Sequence, residues 1–297
     1  MSKKEAGMEF ADPKNDLAFK KIFGDESKKE ILISLINAVL DFTGDDEVVD
    51  ITLANPYQVP KIEELKETIL DIKARNKRQE HFIVEMQKKD LGNFTKRSLY
   101  YTSKAYVEQL GKGKDYSKLE KVYFIGILNF DLFEGEGYIT RHLILNKETM
   151  KQEIADFEFT FIELPKFNKE LSGLESILDK WVYFLKNAQN LTIIPKQYEN
   201  ITEFTEAFKI ATQQLWKKEE MEVYDYIALK EMDDREALRT AEERGKKQGV
   251  QQGMQKGIQQ GAKEKALETA LKMKEKGYSE SEIADITGLS VEEIGKL

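Results

Sequence analysis

Two acidic residues lie in short apolar runs on either side of a polar hexapeptide. Asp71 is in ETILDIKA, Glu85 is in HFIVEMQ, and RNKRQE separates the runs. Both runs alternate as β-strands do, so Ile69, Asp71 and Lys73 share one face of the first, and Ile83, Glu85 and Gln87 share one face of the second. RNKRQE then reads as a hairpin loop. If Asp71 lies opposite Glu85, the two carboxylates meet on one face of adjacent strands. Paired carboxylates suit a divalent cation, which can polarise a phosphate and activate water. Such chemistry also needs positive charge or hydrogen bonds for the developing negative charge. A lysine two residues after the second acid normally meets that need, and here the position holds Gln87.

A neutral glutamine can hold a water or a phosphate oxygen, but it cannot supply lysine's charge. Lys73 is the first choice to replace it, because it shares the Asp71 face one step along the strand. Lys20 and Lys21 are further possibilities, and Lys88 should face away from Gln87. The 297 residues include no cysteine and only His81 and His142, so thiolate zinc sites and histidine relays are poorly supplied. Metal chemistry would have to run on carboxylates, which fits Mg²⁺ or Mn²⁺. Both histidines read as structural.

The formal net charge of -8 excludes a uniformly basic nucleic-acid coat, yet charge is unevenly distributed. Between Lys73 and Lys104 there are nine bases against three acids, a local excess of +6. That is the kind of surface that follows a phosphate backbone, with Arg97, Tyr101 and Lys104 on the helix after the two strands as DNA-binding candidates. The plainer alternative for these three is a solvated or packing helix face.

The elements that must position these residues follow from pattern. Asp12 with Pro13 marks a helix start and Gly24 its stop, and a second helix runs from about Lys28 to Phe42. Asn93 to Leu110 has helical spacing, with Leu99, Tyr106 and Leu110 turned inward. Three β-like runs follow, KVYFIGILNFDLF, YITRHLILN and DFEFTFIELP, the first apolar on both faces and so expected to be central. From Lys169 to Thr240 the pattern is helical, with Trp181, Phe184, Leu185, Phe204, Phe208, Leu215 and Trp216 as expected core. The longest apolar stretch, ILISLINAVLDF, is too short to span a bilayer and the N-terminus has no apolar leader, so a cytoplasmic address is expected.

In the tail, glycine recurs at 245, 249, 253, 257 and 261. Five interior glycines cost a lone helix about 1 kcal/mol each. Either partner helices approach over the glycine face or the segment is a flexible spacer. Two capping boxes, Ser279 with Glu282 and Ser290 with Glu293, define a terminal helix pair. Its second helix opens on Glu292 and Glu293, which would repel phosphates, so a protein-interaction cap is favoured over a DNA-reading helix-turn-helix.

The segments DPKNDLAFKKIFG, LDIKARNKRQEHFIVEMQ and RSLYYTSKAY together resemble the recombination-promoting nuclease (Rpn), or PD-(D/E)XK nuclease family transposase, group, which carries E-x-Q in place of (D/E)-x-K. The resemblance covers about Phe10 to Phe167, and the glycine-repeat tail is also typical of the group. It implies an α/β fold with a restriction-endonuclease-like core, a mixed central sheet flanked by helices. Four segments then divide the chain: a nuclease core at 1–168, a helical extension at 169–240, a glycine-repeat helix or linker at 241–275, and a small helical interaction cap at 276–297. The resemblance further implies a Mg²⁺-dependent DNA endonuclease linked to recombination, mobile elements or defence against foreign DNA. Asp71 and Glu85 would be metal ligands, the Met86 backbone carbonyl a third, Gln87 the lysine substitute and Asp16 a site-shaping acid. Asp16 with Lys20 is also a plain helix-stabilising i,i+4 pair. A homo-oligomer through the tail is expected. The rival reading is a catalytically silent nucleic-acid-binding or assembly protein that keeps the fold.

Overall fold

The alternation that sets Asp71 and Glu85 on one sheet face requires the opposite face to be covered, and the flanking helices do this. The computed structural model describes residues 8–54, 57–58, 68–69, 71–111 and 115–297. In chain order its strands are β1 (Ile51–Leu53), β2 (Tyr57–Gln58), β3 (Thr68–Ile69), β4 (Ile72–Asn76), β5 (His81–Gln87), β6 (Val122–Leu128), β7 (Ile139–Leu143) and β8 (Phe157–Glu163). Six of these form a mixed sheet in the order β1-β4-β5-β6-β8-β7, while β2 pairs with β3. The β5–β6 and β6–β8 pairs are parallel and the others antiparallel. Residues 67 and 70 of ETILDIKA lie outside the described residues, and the regular strand there begins at Ile72.

The first helix, α1 (Asp16–Phe23), begins later than Asp12-Pro13 signals. Asn15 caps it, accepting from the Leu17 and Ala18 N–H groups. Asp12 is occupied elsewhere, accepting from the Lys14 N–H and pairing with the Lys14 and Lys88 ammoniums. The second helix, α2 (Lys29–Leu40), joins α1 over one sheet face, and α3 (Phe94–Glu108) covers the other. Next come α4 (Ile177–Asn187) and α5 (Thr202–Ala211). Their Trp181, Phe184, Leu185, Phe204 and Phe208 share one core with Phe19, Ile22 and Leu35 and with the Ala74, Phe82, Val84 and Ile125 face of the sheet. Helices α4 and α5 are therefore part of the layer that closes the sheet. Leu215, expected in this core, is 65% exposed, whereas Trp216 beside it is buried.

The second core lies under α3 and joins Ile83, Val122, Phe124, Leu128 and Phe161 to Phe94 and Ala105. The inward residues of α3 are Phe94, Ser98, Thr102 and Ala105, and Leu99 is exposed. Apolar spacing misreads this face because it is small and partly hydroxylated. Ser98 and Thr102 donate to the Thr95 and Ser98 carbonyls, so their polar groups are satisfied inside the helix.

The chain divides into two compact units, Met1–Ala228 and Leu229–Leu297. Helix α6 (Lys218–Glu275) is continuous for 58 residues, and the tail glycines are helical within it, with open space where a Cβ would stand. In the second unit, α7 (Glu280–Thr287) and α8 (Val291–Gly295) each start on the expected capping box. Ile283, Leu289 and Ile294 bury there against Ala270. No helix among the described residues is long and apolar enough to cross a membrane.

Candidate active site

The β4–β5 register pairs Ile72 with Val84 and Lys73 with Ile83, so Asp71, just before β4, falls opposite Glu85. Backbone hydrogen bonds cross between the two acids. The Asp71 N–H donates to Glu85 Oε1 at 3.0 Å, and the Met86 N–H donates to Asp71 Oδ2 at 2.8 Å. Each acid is thus held by the other's strand. In parallel register with Glu85 on β6 stands Gly126, where a Cβ would come within 2.9 Å of the Phe161 ring. Glycine there lets Phe161 lie beside the site.

Glu85 is only 3% exposed, and its carboxyl is pushed up to about 8, first by burial and then by the charge of Asp71. Burial also raises Asp71, to about 6, against the opposing pull of the Met86 N–H and Lys20. Two buried carboxylates this close titrate as one unit, and they hold a proton at neutral pH chiefly because burial penalises their charged forms.

Two cations approach the pair from opposite sides. From α1, Lys20 Nζ lies 2.8 Å from Asp16 and 3.5 Å from Asp71, so one ammonium is shared between two carboxylates. From α3, the Arg97 guanidinium donates to Gln87 Oε1 at 3.1 Å, and Gln87 Nε2 donates to Glu85 Oε2 at 3.3 Å. Tyr101, one turn beyond Arg97, hydrogen-bonds to it, and burial followed by the Glu85 charge raises its phenol.

A family model described as PD-(D/E)XK nuclease family transposase matches residues 13–241. The chain belongs to this family. Neither the curated proteins nor the solved structures contain a match. The matched span holds the six-stranded sheet, both acids and helices α1 to α5. A mixed α/β fold with a six-stranded mixed sheet and a helical C-terminal region accords with the nuclease fold of the family.

Enzymes of this family generally use divalent metal ions. Among the described residues no group of three or more His, Cys, Asp or Glu side chains is arranged to hold a metal. The Asp71–Glu85 pair nevertheless has suitable chemistry for a hard cation: four carboxylate oxygens on facing strand segments, and a proton affinity raised first by burial, which a bound cation would oppose. Mg²⁺ binds through one or two carboxylates and keeps its other positions for water and substrate phosphate, so two protein acids suffice.

Lys73 does not reach the acids. It shares their sheet face, but its ammonium pairs with Glu108 near the far end of α3 at 2.8 Å. Strand alternation fixed its face without fixing its reach, and the nearer anion was on a helix. Lys21 turns to Glu220, and Lys88 to Asp12. His81 is neutral, pushed down to about 4 by burial and then by Lys73 and Arg75, and His142 lies on the Phe133 ring. Lys104, two turns beyond Arg97, is half-buried on α3. The basic excess of the segment is also reduced by acids outside it: Lys73 pairs with Glu108, Lys77 with Asp50 and Lys88 with Asp12.

Sequence reasoning placed Arg97 on a DNA-facing surface and did not connect it to Gln87. The available signal was the short link between β5 and α3. Residues 88 to 93 make the turn, with Gly92 and Asn93 at φ 75° and 58°, so the first turn of α3 stays beside the end of β5.

Proposed function

We propose that this protein is a DNA endonuclease that hydrolyses phosphodiester bonds with Mg²⁺ or Mn²⁺, acting in recombination, with mobile elements or against foreign DNA. Family membership supports the nuclease chemistry. The observation that carries the metal assignment is the buried, cross-bonded pair Asp71 and Glu85, whose carboxyls are both raised, first by burial. In this reading the two acids hold the cation, with the Met86 backbone carbonyl as a further ligand. When bound, the cation supplies Lewis acidity to the phosphate and lowers the pKa of a water.

The remaining work falls to the chain itself. Lys20, bridging Asp16 and Asp71, keeps Asp71 oriented and favours its ionised form. Gln87 anchors the free side of Glu85. Exposed bases around the hairpin and α3 engage backbone phosphates. A cytoplasmic address and self-association through the tail belong to the same proposal.

The test is supercoiled plasmid incubated with Mg²⁺ or Mn²⁺, with and without EDTA, using the parent, Asp71→Asn and Glu85→Gln. The parent should nick or linearise the plasmid only with the cation, and both variants should lose at least about 100-fold in rate. DNA binding without cleavage by the parent would favour the catalytically silent alternative. Cleavage that persists in both variants would sink the assignment of these acids.

A further inference from the structure

We propose that Arg97 supplies the catalytic positive charge that a motif lysine would supply, and that Gln87 is its positioning residue. This rests on the phosphodiesterase reading above. A lysine at position 87 would bring its own ammonium beside Glu85, but lysine has donors only and cannot recruit a second cation. Glutamine carries one donor and one acceptor group. Both are used here, the amide NH₂ on Glu85 Oε2 and the amide oxygen on Arg97. The substitution therefore moves the charge from the strand to the adjoining helix.

Arg97 is held for this task from several sides. Its guanidinium lies 5.1 Å from the centre of the buried Phe94 ring, and Tyr101 hydrogen-bonds to it. Its Nε–H is buried with no hydrogen-bond partner among the described residues. A guanidinium has five donors in a planar fork suited to two phosphate oxygens at once. The other nearby cation is less available, since Lys20 is already shared by Asp16 and Asp71. Lys73 is committed to Glu108.

In the hydrolysis, the water oxygen forms a bond to phosphorus and the bond from phosphorus to one ester oxygen breaks. The electron pair leaves on that oxygen, which takes up the proton that the water gives up. Negative charge builds on the two non-bridging oxygens as this happens. The Arg97 donors meet that charge, which makes Arg97 a catalytic residue in its own right. Gln87 acts only through Arg97 and Glu85.

The experiment compares four full-length proteins: the parent, Arg97→Ala, Gln87→Lys and the double variant Gln87→Lys/Arg97→Ala. Arg97→Lys is added as a fifth, in case loss of the side chain disturbs α3. Single-turnover cleavage is measured with Mg²⁺. Affinity for a short duplex in Ca²⁺ and affinity for Mn²⁺ alone are measured in parallel. Arg97→Ala should cleave on the order of 100-fold more slowly, with duplex and Mn²⁺ affinities within about threefold of the parent. Arg97→Lys should fall between the two. The double variant should recover to within about tenfold of the parent, because a lysine at 87 restores the charge locally.

The proposal is overturned if Arg97→Ala cleaves as the parent does, or if its cleavage falls only in proportion to duplex affinity. It is equally overturned if the double variant stays as slow as Arg97→Ala. A parent protein that cleaves nothing overturns the phosphodiesterase reading itself, which is a different result from a cleaving parent that tolerates loss of Arg97.

Discussion

Replacing Glu85 by glutamine should make the metal-free protein more stable at alkaline pH while abolishing its chemistry. The carboxyl of Glu85 is raised by burial and by Asp71 to about 8, so the folded state holds a proton that the unfolded chain releases near its ordinary value. Over that interval the native state binds more protons than the unfolded one, and stability falls as pH rises from about 4.5 through about 8. A shift of this size corresponds to roughly 5 kcal/mol at full ionisation. Asp71 shares the titration and absorbs part of it. The amide at 85 can still accept from the Asp71 N–H, but it loses the bond from Gln87, which costs about 1 kcal/mol. The net expectation is a gain of about 2 to 3 kcal/mol at about pH 8.5, vanishing or slightly reversed at about pH 5. Urea titrations in EDTA, followed through the buried Trp181 and Trp216, read this directly. A variant less stable than the parent at alkaline pH, or a difference that does not change between the two pH values, would refute the reasoning.

Lys20→Met removes the ammonium that favours the ionised form of Asp71, so the acidic limb of the cleavage pH profile should move to higher pH. At neutral pH this should appear as a loss of roughly 3- to 10-fold in kcat/KM. Lys73→Met should leave cleavage within about twofold of the parent and lower stability by about 1 kcal/mol, since its partner is Glu108. Gly126→Ala should lower stability by about 2 kcal/mol in thermal denaturation, because the new methyl group meets the Phe161 ring in the centre of the sheet.

The sheet faces along β5 were legible because strand alternation has a period of two and that run contains no irregularity, whereas ETILDIKA was read as one strand although Thr68–Ile69 pair with β2 in a separate sheet. The register that sets Asp71 opposite Glu85 came from the structure, while strand alternation put Lys73 on the Asp71 face. It carried no information about how far the Lys73 side chain reaches, which depends on Glu108 being nearby in space and 35 residues away in sequence. Arg97 failed to register for the same reason, since its link to Gln87 depends on the tight turn at Gly92 and Asn93. The inward face of α3 was hidden by Ser98 and Thr102, which bury without being apolar. The cap at Asn15 was masked by the stronger signal of Asp12-Pro13, whose acid is engaged by two lysines instead. The α7–α8 caps were read correctly because capping boxes are local and need no tertiary contact.

The central claim is that Asp71 and Glu85 together bind a divalent cation. Calorimetric titration of Mn²⁺ into the full-length protein at neutral pH, repeated in two buffers of different ionisation enthalpy, tests it most directly. Because the raised pair holds a proton at that pH, binding should release about one proton per cation. Both the binding and the release should disappear in Asp71→Asn and in Glu85→Gln. Mn²⁺ binding of unchanged affinity in both variants, or binding by the parent with no proton released, would contradict the account.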